Sequence, residues 1–138
     1  MRVEINAANQ LDLTDIIRRS PVADKPDAEI KLRNFLRASI MSWTGSIDGE
    51  IICVWGLIAP TILSDRAYLW LLTTDTLEKH PFVFVRHSQM IVNDMLKNFS
   101  TIEGHVVEGN RSGIRWLKWL GFKMGQKSDG LISFRRTA

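Results

Sequence analysis

The spacing of apolar and polar positions changes several times along the chain, and each change marks an element. Arg2 to Asn6 alternates and predicts a short first strand. Asp12 or Thr14 then offers an N-cap for a helix that carries Ile16 and Ile17 and stops at Ser20–Pro21. Ile30, Leu32, Leu36 and Ile40 recur at helical spacing, so a longer helix is expected from a cap at Asp27 through Ser42. The period then falls to that of a strand. A strand near Met41–Thr44, a turn over Ser46–Gly49 and a strand over Glu50–Ile58 read as a hairpin, with Asp48–Gly49 as the strongest turn signal in the chain. After a turn at Ser64–Arg66, the unbroken apolar run Ala67–Thr73 is that of a central strand covered on both faces.

From Pro81 to about Asn98 the residues Phe84, Val85, Ile91, Met95 and Leu96 suit an amphipathic helix, and Pro81 sits in its first turn, where no N–H is missed. Thr101 to Val107 reads as a further strand. Asn110 is expected to cap a helix over Arg111–Leu120 that Gly121 ends. Phe122–Gln126 and Leu131–Arg135 close the chain as a hairpin through Ser128–Asp129–Gly130. The order is β-α-α-β-β-β-α-β-α-β-β, with no linker, repeat or low-complexity segment. It predicts an α/β fold in one domain over residues 1–138. Leu71, Leu72, Ile91, Trp116 and Phe122 are expected to share one core.

Composition narrows the function. A chain of 138 residues that is 45% hydrophobic supports one substantial core, and its five Trp and six Phe belong mainly there. The net charge of +3 comes from 18 basic and 15 acidic side chains that are interspersed, which is too little sorting for a nucleic-acid surface. Arg135 and Arg136 read as the solvated end of a strand. Cys53, the one cysteine, lies inside the apolar run Ile51–Trp55 and is expected to be buried and inert, with no disulfide and no cysteine-based metal site. His80, His87 and His105 lack metal-ligand spacing with one another or with Cys53, and Ser112 lacks a strand-to-helix nucleophile elbow. No apolar leader and no run of membrane-spanning length is present, so a cytoplasm, or a particle assembled in one, is the expected compartment.

The segment Glu108–Phe122 resembles the late helix motif of GCN5-related N-acetyltransferases, through Asn110, Gly113 and Leu120–Gly121–Phe122. Trp70–Asp75 and Gly109–Lys118 are also similar to the internal virion protein A family of tailed phages; this likeness covers about Ala67 to Phe122. The acetyltransferase resemblance implies a central mixed sheet with helices on both faces, and a site for acetyl-coenzyme A whose pyrophosphate would lie on the loop after the central strand. The matching window is Glu78–Val83. There an acid replaces the family's Arg or Gln, Pro81 replaces a glycine and removes a donor, and Val83 places a branched side chain where backbone should meet phosphate.

Lys79, His80, Arg86 and His87 offer compensating charge near that window, or simply form a solvated face. The proton-donating Tyr of the family falls at Leu117, which cannot transfer a proton. Tyr68 reads as structural. Glu50, Glu103 and Glu108 are candidate general bases, with Glu108 first because it follows the fifth strand. Any acetyl-coenzyme A would meet Leu72, Thr73, Thr74, Lys79, His80 and Asn110.

Two functions follow from the resemblance. The first is a phage protein with a degenerate acetyltransferase fold and no cofactor, acting through a phage or host protein partner in virion assembly or infection, within the host cytoplasm or the virion interior. The second is an active acyl-coenzyme A-dependent N-acetyltransferase. Loss of both the phosphate cradle and the proton donor places the first ahead. Neither requires nucleic acid or a membrane span.

Overall fold

The computed structural model describes residues 2–138 except Pro21 and Ile62, and leaves the side chains of Glu78 and of residues 81–84 outside the description. Its elements are β1 (Val3–Ala7), α1 (Gln10–Arg18), α2 (Pro26–Ala38), β2 (Met41–Ile47), β3 (Glu50–Ile58), β4 (Arg66–Thr73), α3 (Thr76–Lys79), α4 (Pro81–Asn98), β5 (Thr101–Val107), α5 (Arg111–Trp119), β6 (Lys123–Ser128) and β7 (Leu131–Thr137). The order matches the sequence expectation apart from the single-turn helix α3. The strands form one seven-stranded sheet in the order β1-β2-β3-β4-β5-β7-β6. Every neighbouring pair is antiparallel except β4 and β5, which run parallel.

Both tight hairpins form where the sequence places them. Asp48 and Gly49 have φ of 50° and 84°, and Asp129 and Gly130 have φ of 53° and 77°. Two consecutive left-handed residues match the twist of the flanking strands, and Asp-Gly adopts that geometry at little cost.

The boundaries of α1 and α2 differ from expectation, and β2 and β6 run on to Ile47 and Ser128. The N-cap of α1 is Asn9, whose side chain accepts from the Asp12 N–H at 2.8 Å, while the Asp12 carboxylate accepts from the Asn9 N–H at 3.3 Å. Asp12 is thus the third helical residue of a reciprocal cap. Helix α2 starts at Pro26, so Asp27 lies inside its first turn. It ends at Ala38 rather than Ser42, because Met41 and Trp43 pair with Leu57 and Trp55 of β3. A helical repeat of apolar residues here runs directly into a strand, and the ladder decides the boundary.

The sheet separates two apolar layers. On one face Trp55, Ala67, Leu69, Ile102 and Phe134 pack with Val92 and Met95 of α4 and Trp116 and Leu117 of α5. On the other, Val54, Trp70 and Leu72 pack with Leu13, Ile16 and Ile17 of α1 and Leu36 of α2. Leu72 therefore does not share a core with Trp116 and Phe122 as expected: adjacent residues of a strand point to opposite faces. Leu71 and Ile91 keep the expected side but are only half-buried.

Helix α5 is closed at both ends. Asn110 accepts the Gly113 N–H at 3.0 Å and also the Thr73 hydroxyl at 2.9 Å, which ties the helix to the end of β4. At the other end Gly121, at φ 91°, allows its N–H to reach the Lys118 carbonyl and that of Phe122 to reach Leu117, each at 3.0 Å.

Leu69 is wholly buried, so Leu69→Ala should lower unfolding free energy by roughly 2–5 kcal/mol in a denaturant melt. Leu71→Ala should cost clearly less; equal losses would contradict the burial of these two positions. Asn110→Ala should cost about 2 kcal/mol with the fold retained, because it removes a cap and strands the hydroxyl of Thr73, which is 4% exposed. A matching loss in Thr73→Val, not additive with Asn110→Ala, would identify the shared bond.

Candidate functional site

The parallel pair β4–β5 opens into a cleft. Its register runs only from Arg66↔Thr101 to Tyr68↔Glu103. The Thr74 N–H bonds the Ile52 carbonyl of β3 at 2.9 Å, so alternation turns the main-chain groups of Leu69, Leu71 and Thr73 toward β5. On the facing strand the Glu108 N–H bonds Gly130 at 2.9 Å, which turns the main-chain groups of His105 and Val107 toward β4. The strands meet most closely at Gly104, where a Cβ would overlap the Leu69 carbonyl oxygen. Beyond that vertex they diverge. Leu71 and Thr73 thus present donors and acceptors that have no partner strand there, an arrangement that normally seeks one.

The opening has a volume of about 390 Å³, within the range of small-molecule sites. Tyr68 and residues 70–73 of β4 and His105–Val107 of β5 form its edges, Gly109 and Asn110 lie at its far end, and α2 covers one side. Its floor is aromatic. Phe35 stands 5.9 Å from Tyr68 and 6.2 Å from Trp70, ring centre to ring centre. The Trp70 indole is held by donating to the Ser39 hydroxyl at 2.7 Å, and Ser39 in turn donates to the Phe35 carbonyl at 2.8 Å.

Two side chains that can carry protons face each other at the vertex. The Tyr68 and His105 rings are 6.1 Å apart. Burial pushes the Tyr68 phenol above its ordinary range, opposed by a hydrogen bond with the His105 main chain. Tyr68 therefore holds its proton throughout the neutral range.

The residues singled out from the sequence scatter around this cleft. Leu72, Thr73 and Asn110 line it. Thr74 is buried, with its N–H and hydroxyl both committed to the Ile52 carbonyl. Lys79 ends α3 and His80 joins it to α4; neither lines the cleft. The expected loop over residues 78–83 is thus a junction between two helices, and the side chains of Glu78, Pro81 and Val83 lie outside the described residues.

Glu108 is exposed and bonded to Lys127 of β6 at 3.0 Å, while its neighbours Val107, Gly109 and Asn110 line the cleft. Glu50 meets Arg19 at 3.7 Å, and Glu103 meets Arg66 at 3.6 Å and Arg135 at 3.2 Å. Leu117 is wholly buried in the core. Cys53 is buried too, its thiol pushed well above the usual range by desolvation. Among the described residues no cluster of His, Cys, Asp and Glu could hold a metal ion.

Sequence reasoning missed Phe35 and Trp70 as a site floor and read Tyr68 and His105 as local. One signal was available. Gly104 sits in the middle of a strand pattern, and glycine there marks a close approach of another backbone.

No protein-family model matches the chain, and no curated protein matches it. Solved structures match over its whole length. The ribosomal-protein-S18-alanine N-acetyltransferase from Escherichia coli superposes with a TM-score of 0.68 at 15% identity, covering 99% of this chain and 94% of that one. The PaiA N-acetyltransferase from Thermoplasma acidophilum, in complex with coenzyme A, gives 0.65 at 16% identity over 100% of both chains. An acetyltransferase from Bacillus subtilis, also in complex with coenzyme A, gives 0.65 at 11% identity over 99% and 98%. The mixed seven-stranded sheet with helices on both faces is the GCN5-related N-acetyltransferase fold.

Proposed function

We propose that the protein binds a coenzyme A thioester in the β4–β5 cleft and transfers its acyl group to a small amine. The observation that carries this reading is the early end of the β4–β5 register, which leaves the main-chain groups of Leu71 and Thr73 facing an apolar gap. An extended, amide-bearing arm suits that gap, pairing with the strand edge as a further strand would. The phosphate end is served less well. It would meet the N-terminus of α4 beside Lys79 and His80, where Pro81 supplies no N–H.

A coenzyme A thioester supplies an activated acyl group. The chain's own contribution lies at the vertex. The Tyr68 hydroxyl gives its proton to the departing sulfur, and the His105 imidazole takes the proton that the attacking amine loses. Leu117, in the core, has no part in proton transfer. Glu108 anchors the turn before α5 to β6 through Lys127.

A second reading has its own support in the burial of Leu117 and the missing donor at Pro81. Here the fold is non-catalytic and serves a phage through contacts with a protein partner, as in the internal virion protein A family. Calorimetric titration with acetyl-coenzyme A separates the two. The transferase reading expects a dissociation constant in the micromolar range, about −8 kcal/mol. No binding would select the contact protein. If binding is found, Tyr68→Phe should leave affinity unchanged and slow amine-dependent thiol release by roughly a hundredfold. Unchanged turnover would remove Tyr68 from the mechanism.

A further inference from the structure

The cleft is uneven in charge. Among the described residues its ionisable lining side chains are Lys25, Lys31, Tyr68 and His105, with no Asp or Glu. Lys25 stands at the N-cap of α2, and Lys31 follows on the same helix with its ammonium 5.6 Å from the centre of the Phe35 ring. Neither lysine is held in an ion pair among the described residues. The carboxylates nearest in sequence do not neutralise them. Asp24, Asp27 and Glu29 lie outside the lining, and Glu29 is turned to Arg33 at 3.6 Å.

Beneath this rim lies the floor of Phe35, Tyr68 and Trp70. The half-buried rings of Phe35 and Tyr68, 5.9 Å apart, offer apolar faces, and behind them lies the buried Trp70 indole held by Ser39. Their placement limits what can enter. The gap of about 390 Å³ must also admit the acyl-bearing arm, so an acceptor is small. A polyamine, or the lysine of a basic peptide, would bring positive charge against two ammonium groups and find no carboxylate in return.

Resting on the transferase reading, we infer that the acceptor is a small amine with an aromatic body and one anionic group, as in an aromatic α-amino acid, whose carboxylate is held by Lys25 and Lys31. The half-buried Phe35 ring, backed by Trp70, then receives the aromatic body. The amine is left toward the Tyr68–His105 vertex. The two lysines thereby set specificity, while the rings supply most of the contact area.

The test uses N-acetyl-L-phenylalanine as the anionic probe, with N-acetyl-L-phenylalaninamide as its neutral isostere and spermidine as a polycation. Each is titrated calorimetrically into the full chain without acetyl-coenzyme A. The carboxylate should bind about tenfold tighter than the amide, as two exposed charge contacts allow, and the advantage should shrink with added salt. The double variant Lys25→Glu, Lys31→Glu should lose that preference while keeping its affinity for the amide. Both positions are exposed, so the fold is not at stake. Equal binding of the two probes, tighter binding of spermidine, no detectable binding of the carboxylate, or a preference that survives the double variant would each overturn the inference. A carboxylate preference without acetyl-coenzyme A binding would defeat only the transferase reading, and acetyl-coenzyme A binding without the preference would defeat only this one.

Discussion

The structure depends on a hydrogen-bonded ladder that stops early. Parallel strands β4 and β5 pair from Arg66 to Tyr68 and then part, so that a sheet otherwise continuous across seven strands contains a wedge at its centre. An unpaired main-chain donor or acceptor in a buried setting costs on the order of a hydrogen bond's desolvation, about 1–3 kcal/mol each. A fold that keeps such groups must give them water or a ligand. The surrounding elements hold the wedge open. On one arm, β3 fixes β4 through Thr74 and Ile52, and on the other, β7 fixes β5 through seven register pairs from Thr101 to Val107. Helix α5 then links the far ends through the bond between Thr73 and Asn110.

Groups near Gly104 approach closely because two backbones meet there, and the ionisable side chains around it are Tyr68, His105 and Glu103, the last tied to Arg66 and Arg135. Glu108, by contrast, lies one residue past the end of β5, at a turn that faces water and Lys127. Its carboxylate is committed to that lysine at 3.0 Å.

Much of the fold was legible. Asp48–Gly49 and Asp129–Gly130 announced both tight hairpins because only a few residue pairs tolerate two left-handed positions in succession. Asn110 and Gly121 bounded α5 for equally local reasons. What failed was non-local. The apolar spacing of Ile30, Leu36 and Ile40 suggested a helix through Ser42, yet Ile40 donates its N–H to Leu57, so tertiary pairing overrides the periodic pattern. Leu72 was placed with Trp116 although strand alternation assigns it to the opposite layer with Trp70 and Leu36. The site was hidden for the same reason. Phe35 on α2, Tyr68 and Trp70 on β4, and His105 on β5 share no spacing in sequence, and only the crossover through α3 and α4 brings the two strands side by side.

Leu117 and Tyr68 lie on opposite faces of the sheet. Leu117, wholly buried beside Trp116 and Leu120, gives the late helix apolar packing. A hydroxyl introduced there would be desolvated among apolar side chains, at a cost of roughly 1–3 kcal/mol. The phenol of Tyr68 escapes that cost because the His105 main chain meets it. It also approaches the vertex from the α2 side of the sheet, the side on which Phe35 and Trp70 lie. Tyr68, Phe35, Lys25 and Lys31 line one continuous opening between α2 and β4, so that changes in α2 should alter this opening while leaving the packing of α5, on the opposite face of the sheet, untouched.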